Sequence, residues 1–205
     1  MIDIKQHWEN IYLTKELKDV SWYQLTPTTS IKFIEELQIN KNAKIIDVGG
    51  GDSFLVDHLI KMGFNDITVL DISLASIDRA KLRLGDNASK IKWVVADSSN
   101  FQSFEQYDFW HDRASFHFHT NEKDINNYIE NLNINLKPNG ICVIGTFSEQ
   151  GPKKCSGIDI KQYSEDSMEK TFQKYFQKIN SITVDHQTPF NTIQNFIFCA
   201  FQKID

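Results

Sequence analysis

Ile45-Ile46-Asp47-Val48-Gly49-Gly50-Gly51-Asp52-Ser53 reads as a buried strand that runs into a glycine-rich turn. Lys44 to Val48 is a short apolar run with β-branched residues, the composition of a strand covered on both faces. Three consecutive glycines allow a sharp turn and a close approach of the backbone to a ligand, where a side chain would collide. Ser53 is placed to cap the next helix, whose apolar face is Phe54, Leu55, His58, Leu59 and Met62. Strand, glycine turn and helix in this order build a nucleotide-sized site at the carboxyl edge of an α/β sheet.

The flanking sequence repeats the alternation. Ile67 to Leu70 is a second strand ending at Asp71, and Ser73 caps a helix with Leu74, Ile77 and Leu84 inward, closed by Gly85. Ile91 to Ala96 is a third strand, ending at Asp97-Ser98, and Tyr107 to His111 a fourth. The fourth runs into the dense cluster Asp112 to His119. Ile125, Tyr128, Ile129, Leu132 and Leu136 keep helical spacing, Lys137 to Gly140 is a turn, and Ile141 to Phe147 is a fifth strand. Upstream, His7 to Tyr12 and Thr28 to Leu37 read as helices. After a Gly-, Lys- and Ser-rich loop and a helix over residues 165–176, two strand-like runs near 179–186 and 195–203 suit a hairpin. The expected fold is a three-layer αβα sandwich, with a mostly parallel seven-stranded sheet and an antiparallel C-terminal strand. Residues 1–40 form a helical cap and 41–205 the core of one domain.

Composition narrows the function. The 205 residues, 40% of them hydrophobic, suit one compact domain, and a net charge of −5 argues against nucleic acid. Apolar runs are far shorter than the roughly 20 residues of a membrane helix, so no membrane partner is expected. The polar opening from Met1 to His7 lacks the apolar core of a secretory signal. Cys142, Cys155 and Cys199 cannot all pair, which points to a reduced, cytoplasmic protein, expected as a monomer or weak dimer. Cys155, beside Lys153 and Lys154, is the cysteine expected to be exposed, with its thiol pKa lowered by the lysines.

The ligand of the glycine turn carries no pyrophosphate. A dinucleotide fingerprint needs glycine at its first, third and sixth positions, and the sixth counted from Gly49 is Phe54. Asp47 beside the turn favours a cationic group and opposes a polyphosphate. The stretch Asp47-Val48-Gly49-Gly50-Gly51 resembles the first motif of class I S-adenosylmethionine-dependent methyltransferases, although that family often has glycine where Ser53 stands. The resemblance implies S-adenosylmethionine as cofactor, with S-adenosylhomocysteine as product, held by Asp47, Gly49, Gly50 and Gly51. It places Asp71, followed by Ile72, at the ribose hydroxyls and Asp97 and Ser98 near the adenine amine. The aromatic pairs Trp8/Tyr12 and Trp22/Tyr23 are candidate lid residues over the cofactor, or plain core packing.

The segment after the fourth strand supplies the acceptor-facing candidates His111, Asp112, Arg113 and His117. His111 lies against the cofactor or serves as base, since an unperturbed histidine titrates near 6.5. Asp112 and Arg113 are equally readable as a structural ion pair. His117 and His119 lack the cysteine or acidic partners of a zinc site, so no metal is expected. The acceptor class stays open: a small molecule (thiol, chalcogen or small acid) is preferred over lysine on a protein, and a catalytically silent cofactor-binding module is a further alternative.

Overall fold

The computed structural model describes residues 3–103 and 105–204, so Met1 and Ile2 of the polar opening lie outside the described residues. The glycine turn follows β1 (Lys44–Val48), and the alternation continues through α3 (Leu55–Lys61), β2 (Asp66–Asp71), α4 (Leu74–Leu84) and β3 (Ile91–Val95). β4 (Tyr107–Arg113), α5 (Glu122–Asn135) and β5 (Leu136–Phe147) complete the parallel half. α1 (Ile4–Thr14) and α2 (Thr28–Glu36) precede the core. A small hairpin, β6 (Lys154–Cys155) with β7 (Ile158–Asp159), interrupts the loop before α6 (Glu165–Phe172), β8 (Phe176–Gln187) and β9 (Ile193–Lys203).

The seven strands lie in the order β3-β2-β1-β4-β5-β9-β8, with β9 antiparallel to both neighbours. The strand order reverses between the parallel neighbours β1 and β4. Crevices beyond the carboxyl ends of the strands at such a reversal are where this kind of sheet binds ligands. Register puts Asp47 opposite His111 and Val48 opposite Asp112.

Successive strand side chains point to opposite faces. Ile46, Trp110, Cys142 and Ile144 join one buried cluster with Tyr128 and Leu132 of α5 and Phe172 of α6. Ile45, Phe109, Val143 and Phe198 join the other, with Phe33 and Ile34 of α2 and Leu55 and Leu59 of α3. Gly145 faces Phe198 across the β5–β9 ladder, and a Cβ there would overlap the Phe198 ring, which stacks on Phe33 at 6.1 Å. Gly145→Ala is therefore expected to cost about 1–3 kcal/mol as overpacking. The measurement is a lowered urea midpoint at unchanged m-value.

Four local expectations are corrected. Ser53 does not cap α3 directly: Phe54 occupies that position, and Ser53 Oγ accepts the Leu55 N–H at 3.1 Å. Leu74 is 48% exposed, because α4 turns its small residues Ala75, Ser76 and Ala80 inward with Ile77. β4 runs two residues further than expected, so Asp112 and Arg113 are strand residues with alternating faces. The turn-like Lys137 to Gly140 lies within β5 as an irregularity, where pairing with β4 skips from Leu136 to Ile141.

Candidate active site

A cavity of about 280 Å³ opens at the β1/β4 reversal. Its floor is the glycine turn and the strand ends. Asp47, Gly49, Gly50, Asp71, Ile72, Asp97, Ser98, His111 and Arg113 line it, as do Trp8, Tyr12, Trp22 and Tyr23 from the N-terminal segment. Gly51, Asp112 and His117 are not among its lining residues.

The turn is packed against the protein's own carboxylates. Gly49 has φ +68°, and a Cβ there would lie 2.6 Å from the Ser115 Cβ. A Cβ on Gly50 would meet the Asp47 carboxylate at 2.5 Å, and one on Gly51 would overlap that of Asp71. The glycines thus bring two strand-end carboxylates onto the turn itself. Asp71 accepts the Ser73 N–H at 2.8 Å and is pushed up to about 6 by burial.

Asp47 lies in a buried chain. Its Oδ1 is 2.7 Å from His111 Nδ1, and His111 Nε2 is 2.8 Å from Ser30 Oγ on α2. A carboxylate only accepts, so Nδ1 carries a proton, and in the neutral ring Nε2 accepts the Ser30 hydroxyl proton. The second Asp47 oxygen is buried with no partner. Ser30, which also lines the cavity, carried no signal in the sequence, because its partner is 81 residues away.

The other candidates separate. Asp112 is fully buried: it accepts the N–H groups of Ser115 and Phe116 at 2.9 and 3.1 Å and the Tyr128 hydroxyl at 2.7 Å. Burial raises it to about 6. It fixes the turn that holds Ala114 at φ +66°, and no ion pair with Arg113 forms. His117 is fully buried and pushed down to about 3 by burial and then by Arg113, so it is a neutral core residue; its Nδ1 accepts the Phe147 N–H at 3.4 Å. Arg113 donates from Nη1 to the Trp22 carbonyl at 3.1 Å, and burial lowers it to about 10, which leaves it charged at neutral pH. Cys155, expected exposed and acidified, is 5% exposed and raised to about 12 by burial. Among the described residues no cluster has the makings of a metal site.

The N-terminal helix forms the roof. Trp8 meets Trp22 and Phe118 edge-on at 5.5 and 5.2 Å, and Trp22 also meets Tyr12 at 6.3 Å. α1 is latched to α4. The Glu9 carboxylate accepts the Ser73 hydroxyl at 2.7 Å and the Ala75 N–H at 3.1 Å, placing a negative charge on the α4 N-terminus. Arg79 in turn donates to the Tyr12 and Lys15 carbonyls at 2.9 and 2.7 Å.

Known proteins agree with this architecture. Residues 45–140 match the family described as methyltransferase domain. The fold matches a structure determined for conversion of a disulfide into a thioacetal in echinomycin biosynthesis, at TM-score 0.80 and 16% identity over 98% of this chain and 93% of that one. It also matches an N-methyltransferase of Bradyrhizobium japonicum with S-adenosyl-l-homocysteine bound, at TM-score 0.72 and 15% identity over 99% and 100% of the two chains. The fold is that of the class I S-adenosylmethionine-dependent methyltransferases, and residues 45–140 carry the sequence match to a methyltransferase domain.

Among curated relatives it is 27% identical to the ubiquinone biosynthesis O-methyltransferase of Rickettsia prowazekii over 63% of this chain and 52% of that one. It is 24% identical to EEF1A lysine methyltransferase 2 of Danio rerio over 68% and 66%. The chain thus spans about half the length of the ubiquinone-pathway relative. No helix among the described residues is long and apolar enough to cross a membrane.

The cavity suits the family's cofactor. The buried, unpartnered Asp47 oxygen matches an ammonium group, and five cavity-lining aspartates, Asp47, Asp52, Asp71, Asp97 and Asp124, disfavour phosphate.

Proposed function

We propose that this chain transfers a methyl group from S-adenosylmethionine to a small-molecule acceptor, a thiol, chalcogen or small acid. The observation that carries the reading is the roofed cavity. Its volume of about 280 Å³ lies just below the usual range for small-ligand sites, and the packed rings of Trp8, Trp22 and Phe118 line it, which suits a small acceptor better than a polypeptide.

Asp47, the glycine turn, Asp71 and Asp97 would hold the cofactor, which supplies an electrophilic methyl on a sulfonium. The protein's tasks are then alignment and the exclusion of water. Trp8, Tyr12, Trp22 and Tyr23 exclude water from above. Where the acceptor must lose a proton, Ser30, His111 and Asp47 give a hydrogen-bonded path away from the cavity. In it Ser30 meets the acceptor and Asp47 steadies the charge that reaches the imidazole.

The test combines ligand binding with turnover. S-adenosylhomocysteine is expected to raise the thermal midpoint and NAD to leave it unchanged, since only a ligand of the folded state stabilises. A labelled-methyl screen over thiols, selenols, small acids, amines and protein extract is expected to give a small product. Label appearing only on a protein lysine, the acceptor named for the Danio rerio relative, would overturn the small-molecule assignment.

A further inference from the structure

Arg113 enters the cavity from the end of β4 with its charge unanswered. Nη1 is used by the Trp22 carbonyl and the guanidinium lies 5.0 Å over the Phe196 ring, but Nη2 is shielded from solvent and has no hydrogen-bond partner. Its neighbours do not neutralise it. Cys155 is a neutral thiol, and Asp47, the carboxylate whose field it feels, is hydrogen-bonded to His111. The adjacent Asp112, the ion-pair partner suggested by sequence, points to the opposite face and is spent on Tyr128 and two backbone N–H groups. A shielded guanidinium edge without a partner is costly, whereas such an edge is well matched to a planar anion. Arginines kept in this condition are sites where a ligand supplies the missing charge.

We infer that Arg113 is the anion-receiving group of the cavity, taking a carboxylate on its free Nη2. The inference rests on the methyltransferase reading and sharpens it. The carboxylate belongs either to the amino-acid end of the methyl donor or to an acidic acceptor. Trp22 and Phe118 nearby provide the apolar wall that an acid's hydrocarbon part would need.

Four compounds separate the sources on wild type, Arg113→Gln and Arg113→Lys. They are S-adenosylhomocysteine, 5′-methylthioadenosine (which lacks the amino-acid carboxylate), benzoate and its neutral isostere benzamide. The last two are added to protein saturated with S-adenosylhomocysteine. Loss of S-adenosylhomocysteine affinity by about tenfold or more in Arg113→Gln, with methylthioadenosine unchanged, assigns the donor's carboxylate. Unchanged S-adenosylhomocysteine binding, with loss of the extra stabilisation by benzoate over benzamide, assigns the acceptor's. In either case Arg113→Lys retains part of the effect, and the ligand-free midpoint of Arg113→Gln falls by no more than the lost Trp22 hydrogen bond and Phe196 contact account for. Equal responses of Arg113→Gln and wild type to all four compounds overturn the inference, as does a lowered ligand-free midpoint with unchanged binding, the mark of a structural arginine. If wild type itself ignores S-adenosylhomocysteine, the methyltransferase reading fails instead, and benzoate against benzamide on the protein alone still decides the role of Arg113.

Discussion

Asp71→Ala is expected to reduce affinity for S-adenosylhomocysteine by at least about 100-fold, since in the proposed site two ribose hydroxyls donate to this one carboxylate and each such bond is worth roughly 1.5–3 kcal/mol. Asp71 stands at the end of β2 with its carboxylate against the glycine turn, 5% exposed and lining the cavity. Asp71→Asn keeps the size and an acceptor oxygen, and an intermediate loss is expected for it. Titration calorimetry reads both, and unaltered affinity in Asp71→Ala would move the ribose contact elsewhere. The same residue gives the complex a pH dependence. Burial raises Asp71 from 3.8 to about 6 in the ligand-free protein. That contribution to ligand-free stability is complete below about 4 and is lost as pH rises through about 6. Hydroxyl donors need the ionised form, so binding weakens in the opposite sense. The midpoint shift produced by S-adenosylhomocysteine is expected to shrink as pH falls from 7 to 5, and Asp71→Asn should abolish that slope.

The second large effect belongs to Gly49→Ala. Left-handed backbone costs a residue with a Cβ roughly 1–2 kcal/mol, and the contact with Ser115 adds about 1–3 kcal/mol of overpacking. Ser115 has little room to yield. Its backbone N–H is held by Asp112, at the turn where Ala114 already has φ +66°. Gly63 is the built-in control. It too has positive φ, at +89°, but nothing lies within 4 Å of the Cβ it would gain. Gly63→Ala is therefore expected to show the backbone cost alone, at about 1 kcal/mol. Urea unfolding of the two variants separates strain from collision. Equal midpoints would mean that Ser115 moves aside freely.

Period and punctuation made most of the architecture legible. Five parallel strands, the capping Ser73, the closing Gly85 and the terminal hairpin follow from hydrophobic spacing and turn residues, which are local properties of the chain. Asp47, Asp71 and Asp97, which line the cavity, were legible because each stands within two residues of a strand end. What failed is non-local or depends on one residue of phase. Ending β4 at His111 left Asp112 and Arg113 as an apparent ion pair, whereas two more strand residues put them on opposite faces with different work. Lys153, Lys154 and Ser156 give the Cys155 loop a polar look, yet the thiol packs into the apolar cluster of the sheet. Ser30 is an ordinary helix serine until α2 docks and brings it to His111.

The position of β9 has a consequence for how the molecule comes into being. It follows every other strand in the chain, yet it lies inside the sheet, between β5 and β8. During synthesis the glycine turn and its five parallel strands are available first, while β5 presents a bare edge carrying Cys142, Val143 and Ile144. An unpaired apolar edge is a template for pairing with other chains. The nascent protein therefore passes through a stage in which its ligand-binding half is formed but its risk of aggregation is greatest, and the closing hairpin ends that exposure.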